Sequence, residues 1–163
     1  MKNNILKQIH SFSYAISGIF SVFNSESHMR FHLIATIYVV AFALKFYSLS
    51  TQEWVLLVLT ISSVWVAEII NTAIERLCDA VTKDYSKTIK FVKDASAGAV
   101  LITAIAAVAI AFILLFDLDV FSSMITYFFE TDIWALIVLI ASFVPAALFI
   151  GIKPERYLGF IKK

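Results

Sequence analysis

The chain has 163 residues, of which 61% are hydrophobic, and its mean hydropathy is +0.89. A soluble domain has only about 45–50% apolar residues, and a chain of this length cannot bury the excess, which must therefore face lipid. The net charge is only +1, from 13 basic and 12 acidic residues, so no overall field attracts nucleic acid. The composition argues against a soluble enzyme and against a nucleic-acid-binding protein.

The N-terminal segment predicts an amphipathic helix on the membrane surface, over about residues 4–25. Its apolar residues recur at helical spacing among polar ones and do not form the apolar block of a secretory signal. These residues are Ile5, Leu6, Ile9, Phe12, Ile16, Ile19, Phe20 and Phe23. A helix with this pattern lies in the membrane interface.

Four apolar runs of membrane-spanning length follow, over about residues 31–49, 54–79, 95–116 and 133–152. The last two contain no charged residue, and the first contains only Lys45, close enough to its end to reach the interface. The predicted fold class is an all-α membrane protein with an N-terminal amphipathic surface helix and four transmembrane helices.

The positions of Lys and Arg predict the orientation. Basic residues flank the spans on one side: Lys83, Lys87, Lys90 and Lys93 between the second and third, and Lys153, Arg156, Lys162 and Lys163 after the fourth. The connection between the third and fourth spans has four acids and no basic residue. By the positive-inside rule, we expect both termini and the connection between the second and third spans to be cytoplasmic.

The second span carries a polar stripe formed by Glu68, Asn71, Glu75 and Asp79. At about 100° per residue, these four positions lie within roughly a quarter of the helix circumference. Carboxylates are costly in hydrocarbon, so they face protein or water and usually mark a functional path. The alternative is a set of polar contacts between helices, with the acids paired to Arg76 or to lysines.

The acids of this stripe suit two tasks. Glu68 is the deepest and lies where a buried carboxylate can act as general base on a hydroxyl. Glu75 is nearer the cytoplasm and can bind Mg²⁺, which proteins usually hold through one or two carboxylates together with phosphate oxygens. Glu26 is the only acid in the first fifty residues, which makes it the candidate second metal ligand.

The connection after the stripe offers groups for a nucleotide. Lys93 can neutralise phosphates, Asp94 can accept from a ribose or an adenine amino group, and Tyr85 can stack on or hydrogen-bond to a base. The sequence contains neither of the common glycine-rich phosphate-binding motifs. A nucleotide would therefore be held by side chains on helices.

The run from Glu68 to Asp79, followed after 13 residues by Lys93-Asp94-Ala-Ser-Ala-Gly-Ala-Val, resembles the signature of the small prokaryotic integral-membrane diacylglycerol kinase and undecaprenol kinase family. The resemblance covers roughly residues 5–116. It implies a surface helix with three spans, assembled as a homotrimer whose active sites are shared between subunits. It also implies transfer of the γ-phosphoryl of MgATP to the hydroxyl of diacylglycerol or undecaprenol, at the cytoplasmic face of a prokaryotic cytoplasmic membrane.

The resemblance also implies roles for individual residues. Glu68 would be the catalytic base, with Asn71 beside it holding the reacting groups, and Glu75 and Glu26 would bind the Mg²⁺ that bridges the ATP phosphates. The further residues implied to bind the nucleotide are Lys7, Tyr14, Asp84, Tyr85, Ser86, Lys93 and Asp94. Two of these depart from the best-known branch, because Lys7 stands in place of an arginine and Ser86 in place of a common histidine.

Residues 117–163 have no counterpart in the three-span members, which suggests a kinase-like domain at 1–116 and an added span with a basic tail at 117–163. We expect the added span to be a packing or partner-binding helix. His28 and His32 are spaced as a metal pair on a helix would be, but no third ligand is evident, and we expect ordinary interfacial histidines.

Two other classes of function stay open. In a small transporter or channel subunit, Glu68 and Glu75 would line an ion path, although such a path needs ionisable groups across the whole bilayer. A non-catalytic membrane scaffold would not need the stripe at all.

Overall fold

The computed structural model describes residues 2–151, with side chains from residue 7 onward, and these residues form helices and no strands. The helices are α1 Lys2–Ser25, α2 Ser27–Phe46, α3 Thr51–Val81, α4 Lys87–Leu115, α5 Leu118–Thr126, a π-helical turn at Tyr127–Thr131, and α6 Ile133–Gly151. This confirms the predicted all-α class. The predicted basic tail, with Lys153, Arg156, Lys162 and Lys163, lies outside the described residues.

Helices α2, α3, α4 and α6 are each long and apolar enough to cross a membrane, as predicted. Helix α3 has 31 residues and α4 has 29. At about 1.5 Å per residue, both are longer than the roughly 30 Å hydrocarbon core. Helix α4 begins at Lys87, eight residues before the predicted start of its span, because its charged first two turns continue the helix beyond the apolar run.

Side-chain caps fix the turn between α3 and α4. The backbone N–H of Asp84 donates to Thr82 Oγ1 over 3.0 Å, and Thr82 is the C-cap of α3. Ser86 is the N-cap of α4, and its hydroxyl accepts from the N–H of Ile89 over 3.4 Å. The turn therefore holds α3 and α4 as antiparallel neighbours.

Helix α2 packs between the α3–α4 hairpin and α6, and α1 lies across α2 and α3. The apolar side chains of α1 are largely exposed; they include Ile9, Phe12, Ile16, Ile19 and Phe20. A single chain cannot cover this face, which suits a helix in the membrane interface.

The added C-terminal segment covers α2 along its length. At the end of α2, Phe46 contacts the rings of Tyr127 and Phe128. Further along, the Tyr38 hydroxyl lies 2.6 Å from Ser142 Oγ, and the Tyr38 ring stacks on Phe143. The sequence predicted only an acidic connection before the fourth span, whereas the structure places α5 and the π-helical turn there.

Candidate functional site

Glu68 lies on the face of α3 that packs against α2, and only 5% of the residue is exposed. Its Oε1 lies 3.3 Å from Nε2 of His32, which is in the second turn of α2. A buried carboxylate without a polar partner would be costly, and the imidazole supplies one. The sequence analysis expected His32 to be an ordinary interfacial histidine, and its contact with Glu68 could not be predicted because the two residues are on different helices.

Asn71 connects α3 to α4 one turn after Glu68. Its Nδ2 donates to Glu75 Oε1 over 3.1 Å, and its Oδ1 accepts from the Ser96 hydroxyl over 2.7 Å. Both ends of the amide are therefore used, and the Glu75 carboxylate is held on the side of α3 that faces α4. This contact also makes Ser96 part of the site.

Asp79, the last member of the stripe, pairs across the hairpin. Its Oδ1 lies 2.5 Å from Lys93 Nζ on α4. Asp94 pairs with Lys90, one turn earlier on the same helix. Lys93 and Asp94, both predicted to bind a nucleotide, therefore lie at the polar end of the hairpin, near Asp79.

Glu26 is the single residue between α1 and α2, with an extended backbone conformation. Its Oε1 lies 4.0 Å from Nη2 of Arg76 on α3. Arg76 also hydrogen-bonds to Ser21 and Ser25 at the end of α1. Because Arg76 directly follows Glu75 in α3, the α1–α2 junction and Glu75 lie at the same level of the bundle.

The other predicted nucleotide-binding residues are more dispersed. Lys7 and Tyr14 are exposed on α1, and Asp84 and Tyr85 are exposed in the turn between α3 and α4. Within residues 2–151, no hydrogen bond or ion pair joins the side chains of these four residues to the other predicted site residues. Ser86 is the N-cap of α4, which gives it a structural role as well.

Among the described residues, no group of three or more His, Cys, Asp and Glu side chains is arranged to hold a metal ion. His28 is exposed, and His32 contacts Glu68. The protein part of a metal site in this region would consist of one or two carboxylates.

An apolar groove of about 300 Å³ lies between α2, α3 and α4. Its lining includes Val39, Leu57, Val64, Ala107, Val108 and Ala111, together with Phe31 and His32. Since His32 contacts Glu68, one end of the groove lies beside the buried carboxylate. The arrangement can hold a hydrocarbon chain with its polar end next to Glu68.

Comparison with known proteins finds a family and two relatives that match part of the chain. The family model for prokaryotic diacylglycerol kinase matches residues 13–115. Undecaprenol kinase of Bacillus subtilis is 32% identical over 106 residues, which are 64% of this chain and 84% of that protein. A diacylglycerol kinase of Synechocystis is 36% identical over 101 residues, 61% of this chain and 57% of that protein. The family match ends at the last residue of α4, so α5 and α6 lie outside it.

Proposed function

The chain belongs to the prokaryotic diacylglycerol kinase family, and from this premise we propose that it transfers the γ-phosphoryl of ATP to the hydroxyl of diacylglycerol or undecaprenol at the cytoplasmic interface. The observation that carries the proposal is the position of Glu68, buried beside His32 at one end of an apolar groove. Asn71 and Glu75 follow on the same helix toward its charged end. A lipid hydroxyl and a nucleotide can thus approach the same stripe from opposite ends.

Glu68 is the general base in this proposal. Its carboxylate accepts the proton of the lipid hydroxyl as that oxygen attacks the γ-phosphorus. The bond between the γ-phosphorus and its bridging oxygen breaks, and ADP leaves with that oxygen. The contact with His32 holds the Oε1 atom of Glu68, and in this proposal Oε2 accepts the proton.

The groove between α2, α3 and α4 holds the first part of the lipid chain. Its lining is almost entirely apolar, as a pocket for a hydrocarbon chain should be. The only ionisable side chain of the lining is His32. Both candidate lipids present a primary hydroxyl at the interface, so both fit this arrangement.

Glu75 and Glu26 are the proposed ligands of Mg²⁺. The donor set fits, since Mg²⁺ in phosphoryl-transfer enzymes is commonly held by one or two carboxylates plus phosphate oxygens, and Glu75 is oriented by Asn71. When bound, Mg²⁺ offsets the negative charge of the phosphates. Asn71 holds the Glu75 carboxylate in place, and Arg76 holds the α1–α2 junction that carries Glu26.

The nucleotide binds at the polar end of the hairpin. Lys93 faces the phosphates and exchanges its contact with Asp79 for them, while Asp94 binds the ribose or the base. The exposed turn and α1 supply the remaining contacts, from Lys7, Tyr14, Asp84, Tyr85 and Ser86. Side chains on helices thus take the place of a glycine-rich loop.

The proposed assembly is a homotrimer in the cytoplasmic membrane, with the N-terminus and the active site on the cytoplasmic side. Helix α4 supports it, because none of its 29 residues is buried in the single chain. Its open face is available to a second copy. The basic residues at the α3–α4 turn support the orientation.

A transporter or channel function is not favoured, since the family is one of lipid kinases. The ionisable groups of the stripe also gather toward one end of α3 and do not continue along the span.

The test is phosphate transfer from γ-labelled ATP by the purified full-length protein in lipid nanodiscs, with diacylglycerol and undecaprenol supplied separately. We expect labelled product with at least one lipid and a loss of about 100-fold or more in Glu68→Gln. Glu130→Gln, which changes an exposed acid at the other end of the bundle, should keep full activity. Full turnover by Glu68→Gln would remove the base assignment, and no transfer to either lipid would overturn the function.

A further inference from the structure

Arg30 joins the ends of two helices that are far apart in sequence. Its Nη1 donates to the backbone carbonyls of Phe23, over 3.2 Å, and Asn24, over 3.1 Å, in the last turn of α1. Its Nη2 donates to the carbonyl of Ile150, in the last turn of α6, over 3.1 Å. The residue is 2% exposed. Such terminal carbonyls lack partners within their own helix and carry the negative end of the helix dipole, so a guanidinium satisfies them well.

Contacts along α2 determine where the end of α6 lies. Ser142 and Phe143 bind Tyr38, and Ala146, one turn further on, is buried at 8% exposure. The next turn brings Ile150 to Arg30. The family match ends at residue 115, so this acceptor for Arg30 comes from the added segment.

The Arg30 contacts bear directly on Glu26. Glu26 is the only residue between α1 and α2, its N–H donates to Val22 O, and its carbonyl accepts from the N–H of Arg30. The direction of its side chain therefore depends on how the end of α1 sits on the start of α2. Arg30 holds that junction from one side, and the end of α6 holds Arg30.

We propose that α6 is a positioning element of the kinase: through the Ile150 carbonyl and Arg30, it fixes the α1–α2 junction and with it the Glu26 carboxylate. Arg30 is then a positioning residue with no substrate contact of its own. The proposal rests on the proposed function only where Glu26 is taken as a metal ligand. It gives the added span a role beyond packing.

The test compares two substitutions of neighbouring alanines in the full-length protein. Ala146→Leu adds bulk on the buried face of α6 and moves its end away from Arg30. Ala147→Leu makes the same chemical change at an exposed position and is the matched control. Hydrogen exchange of the backbone amides of residues 22–30 reports on the junction without any need for activity, and the Mg²⁺ concentration for half-maximal activity reports on Glu26.

We expect faster exchange at residues 22–30 in Ala146→Leu and not in Ala147→Leu. We also expect about a tenfold rise in the half-saturating Mg²⁺ concentration in Ala146→Leu alone, a typical result of losing support for a metal ligand. Arg30→Lys keeps the charge and loses the two-sided fork, so it should reproduce both effects. Because the two substitutions act on one contact, their combination should add little further.

Equal exchange in the two alanine variants would overturn the proposal. It would also be overturned if Glu26→Gln changes the Mg²⁺ dependence and Ala146→Leu, despite faster exchange, does not. If Glu26→Gln leaves the Mg²⁺ titration unchanged while exchange still responds to Ala146→Leu, the metal assignment fails and the Arg30 contact stands.

If Ala146→Leu does not fold, Ser142→Ala removes the Tyr38 hydrogen bond at little steric cost. Faster exchange at residues 22–30 in that variant supports the proposal, and unchanged exchange contradicts it.

Discussion

His32 Nε2 lies 3.3 Å from Glu68 Oε1, and this contact joins α2 to α3 where the apolar groove ends. The side chain of Glu68 is 6% exposed and that of His32 is 18% exposed. The lipid groove and the proposed base are therefore parts of one arrangement, and a change at His32 should affect the chemical step first.

His32→Gln should lower kcat by roughly 100-fold, because a base displaced by about 1 Å loses activity of that order. The KM for ATP should change little, since the nucleotide residues lie nearer the other end of the stripe. The measurement is steady-state phosphate transfer with ATP and lipid varied separately. His28→Gln, an exposed change one turn earlier on the same helix, should behave as the unsubstituted protein. A rise in the KM for ATP with unchanged kcat would contradict the assigned role.

Lys93→Met should raise the KM for ATP by about 10- to 100-fold, the effect of removing one charge-assisted phosphate contact of about 1.5–3 kcal/mol. Among the residues that the structure describes, Lys93 forms its ion pair with the exposed Asp79, and such exposed pairs contribute little to stability. The melting temperature should therefore stay nearly constant. The control is Lys87→Met. Lys87 is another lysine near the start of α4, and its charge is assigned to the positive-inside pattern and not to the nucleotide site. If both substitutions raise the KM for ATP equally, the lysines attract ATP through their general positive charge, and Lys93 makes no specific phosphate contact.

The outcome for α3 and α4 shows what a single sequence can predict here. The stripe from Glu68 to Asp79 follows from helical periodicity alone, and the structure places its members beside polar groups. The partners of those residues, His32 and Ser96, could not be predicted, because they depend on which faces of different helices meet. Hydropathy predicts an apolar span from about residue 95, whereas α4 begins at Lys87, because a helix can continue beyond the lipid with charged residues.

Residues 117–132 show another limit. They were predicted as an acidic connection, and the structure forms α5 there, capped by Asp117, whose side chain accepts from the N–H of Asp119 and of Val120. An aspartate before an apolar run is a helix-start signal. The charge pattern of this connection indicates its side of the membrane and carries no information on whether it is helical.

Ser96→Ala should destabilise the protein by about 0.5–1.5 kcal/mol, the net contribution of one ordinary hydrogen bond, which is part-buried here. The acceptor is Asn71 Oδ1, whose amide also holds Glu75. We therefore expect a higher half-saturating Mg²⁺ concentration together with a lower melting temperature. Ser62→Ala, which removes only a bond to the Val58 carbonyl on an exposed face, is the matched control. A loss of stability with unchanged Mg²⁺ dependence would show that Asn71 does not orient the metal ligand.

Ala107→Phe should block the lipid groove without touching the nucleotide residues. Ala107 lines the groove, and a benzyl group there occupies space that the proposed lipid chain needs. We expect phosphate transfer to the long-chain lipid to fall at least tenfold, because the substrate loses the burial of several methylene groups, each contributing about 0.8 kcal/mol. The KM for ATP should stay unchanged.

The control for the groove is Ala141→Phe, which adds the same ring to an exposed position of α6, away from the face of α4 that is proposed to meet a second copy. Activity toward a short-chain lipid analogue separates a blocked groove from a damaged site. If the chain lies between α2, α3 and α4, the short analogue should lose less activity than the long lipid in Ala107→Phe. If both lose activity equally while the control stays active, the substitution disturbs Glu68 through the packing of α3 on α4, and the chain binds elsewhere. Equal activity of both alanine variants with the long lipid would exclude the groove as its binding site.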